Sequence, residues 1–255
     1  MKIRVLGCSG AEFPERNHTG FLLDDEILFD AGSLTNVLDE REQLKIRHIF
    51  ITHAHLDHIR GIPFLADNFI IGNWNHTVNI LSIPPVLKTV KWSLLNKSVW
   101  PDMTVIPSPK NPVLNLVPLE LNRSIKVNDY SITPYKVKHS VPAVGYLVEG
   151  PKNKSFFYTG DTGPSEMLWK KIGDKPISCL IIESSFPNRM DELAIKTGHL
   201  TPRLLQKELL KMKYMPEKIF ITHLKPQVFK VIKRELEGLK IKNLTLLREG
   251  ELIRI

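Results

Sequence analysis

Thr52-His53-Ala54-His55-Leu56-Asp57-His58 places four side chains that can bind a metal within six positions, straight after the apolar run Ile49, Phe50, Ile51. On a strand His53 and His55 share a face, and a chain that bends into a loop at Leu56 turns Asp57 and His58 round a second point. The spacing points to two adjacent metals. Neutral imidazole and carboxylate suit zinc, and also manganese or iron, while the lack of a cysteine nearby argues against a closed structural zinc site. The alternative is a His-rich surface loop, and histidine is too uncommon for this spacing to be a frequent accident.

Other donors stand at the ends of predicted strands. His139 follows Tyr130 to Lys138, and Asp161 sits between glycines in Gly160-Asp161-Thr162-Gly163, where glycine permits a sharp turn and close approach to a ligand. Ile219-Phe220-Ile221-Thr222-His223 repeats Ile49-Phe50-Ile51-Thr52-His53, so His223 is delivered as His53 is. Taken singly these residues have structural readings: a strand-end histidine is often a hydrogen-bonding group, and the Asp161 turn could cap a helix. Beside the first cluster they become ligand candidates. His199 precedes Thr201, a predicted N-cap, and Pro202, so it stands at a helix N-terminus, a place that favours anions. His18, alone in a loop, reads as structural or solvent-exposed rather than as a ligand.

His-x-His-x-Asp-His behind a strand resembles the signature of the metallo-β-lactamase superfamily. The resemblance implies a four-layer αββα sandwich of the α/β (α+β) class with its metals at one edge between two sheets. Relatives that do redox chemistry at di-iron carry Glu where this chain has His55, which implies hydrolysis. It further implies that His53, His55 and His139 hold one divalent ion and Asp57, His58 and His223 a second, with Asp161 bridging them. Two such cations roughly 3.5–4 Å apart lower the pKa of a shared water towards neutrality and clamp the attacking and leaving oxygens of an in-line displacement.

A narrower set of motifs comprises Gly160-Asp161-Thr162-Gly163-Pro164, Glu183-Ser184-Ser185-Phe186-Pro187-Asn188, Gly198-His199-Leu200-Thr201-Pro202, Trp100-Pro101-Asp102 and His55-Leu56-Asp57-His58-Ile59-Arg60-Gly61. In order and spacing, from about residue 3 to residue 225, these resemble the class II 3′,5′-cyclic-nucleotide phosphodiesterases. Arg60 and Phe64-Leu65-Ala66-Asp67 depart from the small residues that family tends to carry there. The resemblance implies hydrolysis of cyclic AMP or cyclic GMP to the 5′-monophosphate by a metal-bridging hydroxide. Asp57, Glu183 and His199 would then be catalytic, and Thr162 and His199 would meet the substrate. His199 is the implied acid or phosphate donor, oriented by Glu183; capping its helix is the structural alternative. The runner-up is a tRNA 3′-processing endonuclease of the ribonuclease Z type, although no long Gly/Pro-rich basic insertion is present to hold tRNA. A lactonase or thioesterase stays open because the centre alone does not choose between carbon and phosphorus esters. A non-catalytic binding module is disfavoured because all seven ligands are present.

The elements that must position these groups follow from periodicity and turn signals. Strands are predicted at Lys2 to Cys8, His48 to Thr52, Thr77 to Ser82, Val113 to Leu121, Tyr130 to Lys138, Ala143 to Glu149, Ser155 to Thr159, Ile177 to Glu183 and Ile219 to His223, with two more near Leu244 and Leu252. Phe21 to Asp24 and Ile27 to Asp30 form a hairpin, after which a helix runs from about Gly32 to Arg41. Further helices are expected to about Ala66, over Pro84 to Asn96, from Pro202 to about Met212 and from Pro226 to about Leu239. Trp92 and Trp100 could stack on a base, but packing is the preferred reading. Gly7-Cys8-Ser9-Gly10 begins no phosphate-loop motif and reads as a tight turn.

The chain has 255 residues, 42% apolar and 24% charged, within the range of an ordinary globular protein, and no linker divides it, so one domain over 1–255 is expected. No apolar run reaches the length of a membrane span, and the apolar run at the start is too short for a signal peptide, which places the chain in the cytoplasm. Cys8 and Cys179, far apart, read as strand thiols outside any disulfide framework. The formal net charge is +8, and residues 203–255 hold 13 Lys/Arg against 6 Asp/Glu. A basic end attracts anions, and solvated helix faces explain it equally. The expected partner is a small phosphate-bearing substrate, with nucleic acid second, no membrane, and a homodimer allowed.

Overall fold

A computed structural model describes residues 1–73 and 75–255. The N-terminal half contributes β1 (Lys2–Gly7), β2 (Gly20–Leu23), β3 (Ile27–Phe29), β4 (His48–Phe50), β5 (Val78–Ser82), β6 (Pro107–Ser108), β7 (Asn111–Pro112) and β8 (Leu114–Pro118). The C-terminal half contributes β9 (Ile125–Val127), β10 (Tyr130–Lys136), β11 (Val144–Glu149), β12 (Ser155–Tyr158), β13 (Cys179–Glu183), β14 (Lys218–Thr222), β15 (Leu244–Leu246) and β16 (Leu252–Arg254). They form two seven-stranded sheets, ordered β16-β1-β2-β3-β4-β5-β8 and β15-β14-β13-β12-β11-β10-β9, with β6 and β7 as a separate ribbon.

Alternation along the strands sorts side chains into layers. Phe156 and Tyr158 of β12, and Cys179 and Ile181 of β13, join the core that also holds Phe21, Phe29 and Phe50 of the first sheet. Phe157, Leu180 and Ile182 point the other way, into a second core. Rings mesh across the gap between sheets: Phe21 lies 4.9 Å from Tyr158, and Phe50 lies 5.3 Å from Tyr146.

Helices cover both outer faces. They are α1 (Leu34–Val37), α2 (Glu40–Gln43), α3 (Leu56–Ile59), α4 (Gly61–Ile71), α5 (Pro84–Thr89), α6 (Glu166–Ile172), α7 (Asp191–Thr197), α8 (Pro202–Leu209) and α9 (Phe229–Gly238). Ile62, Leu65 and Phe69 of α4 seal the first sheet, while Trp169 of α6, Leu205 of α8 and Ile232 of α9 seal the second. The result is the expected four-layer αββα sandwich. Among the described residues no helix is long and apolar enough to cross a membrane.

Three local expectations are corrected. The single helix from Gly32 to Arg41 is two short ones, because Leu38 is extended and Asp39 starts α2 with a capping box: its side chain accepts from the Glu42 amide, while Glu42 reaches back to the Asp39 amide. The helix after the His-x-His-x-Asp-His segment runs on to Ile71 rather than Ala66, since Pro63 lies in its first turn, where no hydrogen bond is lost. The helix from Pro84 ends in a π turn over Val90–Leu94, which leaves Trp92 at 69% exposure under the Lys88 ammonium instead of packed in a core. Trp100 does pack, edge-on to Phe64 at 5.2 Å. Both cysteines are free, and burial pushes each thiol up to about 12.

Strand direction gathers the candidate ligands. β12, β13 and β14 run parallel, and β10 runs the same way because β11 is antiparallel to both β10 and β12. Their carboxyl ends lead to His139, Asp161, Glu183 and His223, while β4 leads to His53 in the facing sheet. Open α/β sheets place ligands at carboxyl ends of strands for this reason.

Candidate metal centre

The seven residues expected as ligands converge. Donor atoms of His53, His55, His139 and Asp161 all lie within 4.8 Å of one another, as do those of Asp57, His58, Asp161 and His223. Asp161 belongs to both sets. Its Oδ2 is 3.2 Å from His223 Nε2, 3.5 Å from His58 Nε2 and 3.7 Å from His53 Nε2. Asp57 Oδ2 stands 3.7 Å from His58 Nε2 and 3.8 Å from His223 Nε2. Leu56 to Ile59 form a helical turn rather than the expected loop, and that turn carries Asp57 and His58 away from His53 and His55.

Second partners fix which nitrogen of each ring faces inward. His139 Nδ1–H donates to the Gly198 carbonyl at 2.8 Å, and His58 Nδ1–H donates to Asp30 at 2.7 Å. Thr52 Oγ1 donates to Asp30 at 2.9 Å, which leaves it to accept from His53 Nδ1–H at 3.0 Å. His53 Nε2 and His139 Nε2 therefore present lone pairs to His55 Nδ1, at 3.0 and 3.2 Å. Three imidazole nitrogens this close share too few protons to satisfy one another, and a cation satisfies all three at once. His58 Nε2 is buried among the Asp161 and Asp57 carboxylates without a hydrogen bond, another atom that a metal would complete. The donor set is that of zinc, manganese or iron.

At three of the rings electrostatics agree with ligation. Burial, aided by neighbouring imidazoles, pushes His53 well below the ordinary histidine value, and burial also lowers His55 and His223, so all three favour the neutral form that binds metal. Burial opposes charge on His58 too, but Asp30, Asp161 and Asp57 outweigh it and hold that ring well above the usual range. Burial alone would raise the Asp161 carboxyl; His223, His58 and His53 instead keep it well below the carboxylate range.

Asp30 escaped the sequence reading. It is fully buried, adopts a positive φ of 59°, and accepts from the Thr52 amide, Thr52 Oγ1, Tyr158 Oη and His58 Nδ1. Such a carboxylate behind a ligand imidazole sets its tautomer and strengthens its basicity. The signal available was an aspartate at a strand end directly before Ala31-Gly32. Two glycines are demanded by the site: a Cβ on Gly160, at φ 60°, would lie 2.8 Å from the Thr52 side chain, and one on Gly198, at φ 74°, would lie 2.7 Å from His139 Cα.

Beside the two sets stands the pair expected from the Glu183 and His199 segments. His199 Nδ1 is 2.7 Å from Glu183 Oε1. Glu183 also accepts from the amides of Thr162 and Leu200 and from Ser185 Oγ, so its oxygens are already occupied and His199 is held in one orientation. Burial favours a neutral His199, but Glu183 raises it to about 9. Thr162 is buried; its amide donates to Glu183 Oε1 and its hydroxyl to the Gly163 carbonyl. His18 is buried, belongs to neither ligand set, and has its amide on Ser33 Oγ.

Comparison with known proteins agrees with this geometry. The beta-lactamase superfamily domain matches residues 26–224. The chain belongs to that superfamily. A probable 3′,5′-cyclic-nucleotide phosphodiesterase of Yersinia pestis is 28% identical over 207 residues, covering 71% of this chain and 57% of the relative. Ribonuclease Z of Methanococcus maripaludis is 32% identical over 160 residues, covering 60% of this chain and 50% of the relative. The chain spans about half the length of these curated relatives. The crystal structure of unliganded yeast PDE1 superimposes with a TM-score of 0.83 over 100% of this chain and 99% of that one, at 18% identity, and so shares the sandwich fold.

Proposed function

We propose that this protein is a metal-dependent phosphodiesterase hydrolysing 3′,5′-cyclic nucleotides to 5′-monophosphates. The observation that carries the reading is one buried carboxylate, Asp161, common to two ligand sets, with the Glu183–His199 pair so near that donor atoms of all three residues lie within 4.8 Å of one another. His53, His55 and His139 would hold one divalent ion, Asp57, His58 and His223 the other, and Asp161 both; zinc is proposed, and manganese or iron suits the same donors. When bound, the two cations neutralise phosphoryl charge and acidify the attacking water.

The rest falls to the chain's own side chains. Glu183 accepts the Nδ1 proton of His199, which leaves Nε2–H as the proton to deliver. That proton goes to the departing 3′-oxygen as the P–O bond breaks. Ser185 Oγ and the Thr162 and Leu200 amides keep Glu183 from turning away. Asp30 keeps the His58 proton on Nδ1, off the ligand atom. Similarity to a curated cyclic-nucleotide phosphodiesterase over 71% of the chain supports this substrate.

The ribonuclease Z similarity supports a second reading, endonucleolytic 3′ processing of tRNA. The deciding experiment incubates metal-loaded protein with cyclic AMP, cyclic GMP, bis(p-nitrophenyl) phosphate, a lactone and precursor tRNA, and compares kcat/KM. The highest value is expected for a cyclic nucleotide. Precursor tRNA ahead of it, with affinity falling steeply as salt rises, would favour the second reading; turnover of the lactone with no phosphodiester cleaved would overturn both.

A further inference from the structure

A groove of about 930 Å³ opens beside the metal centre, and His139 lines it while also facing His55. That volume is at the upper end for small-molecule sites. Ile83, Val141 and the 60% exposed Met167 give the groove apolar lining. Lys136, Lys138 and Lys171 supply its charge, and no Asp or Glu lines it. Exposed Lys136, the last residue of β10, and exposed Lys138 just beyond it flank buried Val137, and both lysines line the groove. Met167 and Lys171 lie four apart on α6, on one helix face. Among the described residues none of the three ammonium groups has an ion-pair partner.

The contrast is with the other large groove, of about 990 Å³, beside α9 and β15. Its walls carry Arg16, Lys233, Lys240 and Arg248 against Glu15, Glu237, Glu249 and Glu251, and none of the seven ligand residues lines it. Positive charge without counter-charge is thus concentrated where a phosphodiester would enter. Unpaired cations along a cleft raise the local concentration of anions.

We propose that, besides cyclic nucleotides, the site takes linear phosphodiesters that carry a further phosphate, and that the groove beside His139 binds the part of such a diester beyond the scissile phosphate. The nucleoside lies against Ile83, Val141 and Met167, and its next phosphate meets Lys136, Lys138 and Lys171. This rests on the phosphodiesterase reading and sharpens it: a 3′,5′-cyclic mononucleotide, whose one phosphate is at the ligand cluster, leaves the lysines unpaired, whereas a diester with a second phosphate engages them. The second phosphate belongs either to a linear oligonucleotide or to a terminal monoester.

The test compares wild type with the triple variant Lys136→Gln, Lys138→Gln, Lys171→Gln on bis(p-nitrophenyl) phosphate, the dinucleotide ApA, its 5′-phosphorylated form pApA, and a hexanucleotide. Wild type should prefer pApA, the hexanucleotide or both over ApA by roughly tenfold or more in kcat/KM. The triple variant should lose that preference and the hexanucleotide salt slope should fall by about 0.7 per lost contact, while bis(p-nitrophenyl) phosphate turnover is unchanged. Preference for pApA assigns the terminal phosphate, and a gain confined to the hexanucleotide assigns the internucleotide one. Equal rates on ApA, pApA and the hexanucleotide would overturn the proposal, as would an equal loss on the small chromogenic diester. If wild type cleaves no diester at all, the phosphodiesterase reading falls separately, and fluorescence anisotropy of a labelled hexanucleotide decides the groove: weaker binding by the triple variant upholds it, and unchanged binding overturns it.

Discussion

Replacing Asp30 by Asn tests whether a side chain that touches no substrate governs the ligand set. Wild-type Asp30 is fully buried and accepts from the Thr52 amide at 2.8 Å, Thr52 Oγ1 at 2.9 Å, Tyr158 Oη at 2.7 Å and His58 Nδ1 at 2.7 Å. Asparagine keeps one acceptor oxygen for Thr52, and the Tyr158 hydroxyl can reverse to accept from the new NH2. His58 cannot adapt in the same way. Either two N–H groups face each other or the proton moves to Nε2, the atom that should bind metal. Loss of such a supporting carboxylate costs roughly 10–100-fold in metal affinity, which is about 1.4–2.7 kcal/mol. The assay titrates metal into apo protein against a chromophoric chelator. The variant should bind at the subsite of Asp57, His58 and His223 that much more weakly, with the subsite of His53, His55 and His139 less affected. Tyr158→Phe, which removes one bond to Asp30 without touching His58, should leave metal affinity within about threefold and cost about 1 kcal/mol of stability. Wild-type affinity at both subsites in Asp30→Asn would refute the reasoning.

Other substitutions separate the roles of neighbouring groups. Asp161→Ala should lose metal and activity together; two metals retained by elemental analysis would contradict its place in both sets. His199→Ala should keep its metal content and lose roughly 10²–10⁴-fold in kcat, and an unchanged kcat would end its role as the acid. Gly160→Ala forces an L side chain to φ 60° with its Cβ 2.8 Å from Thr52. Strain of that kind costs about 1–3 kcal/mol, so the denaturation midpoint should fall measurably, and an unchanged midpoint would show that the turn relaxes.

The candidate ligands were legible because their chemistry is written locally. His53 to His58 carry the spacing themselves, and His139, Asp161 and His223 each follow an apolar run that reads as a strand. The sandwich was implied by the superfamily resemblance, and the same strands build it, their alternating residues parting into two cores. What stayed hidden depends on contacts distant in sequence. Asp30 meets Thr52, His58 and Tyr158 at separations of 22, 28 and 128 residues, and the carbonyl that orients His139 belongs to Gly198, 59 residues away. Local punctuation was also underread: Asp39 and Glu42 form a capping box that divides the helix expected from Gly32 to Arg41. The resemblance implied that Thr162 meets the substrate but said nothing of its burial or of the bonds from its amide to Glu183 and from its hydroxyl to the Gly163 carbonyl.

Anomalous diffraction from crystals of zinc-loaded protein would test the shared role of Asp161 most directly. Two peaks roughly 3.5–4 Å apart should flank the Asp161 carboxylate, one among His53, His55 and His139 and the other among Asp57, His58 and His223. A single peak, or two peaks that do not share Asp161, would contradict the account.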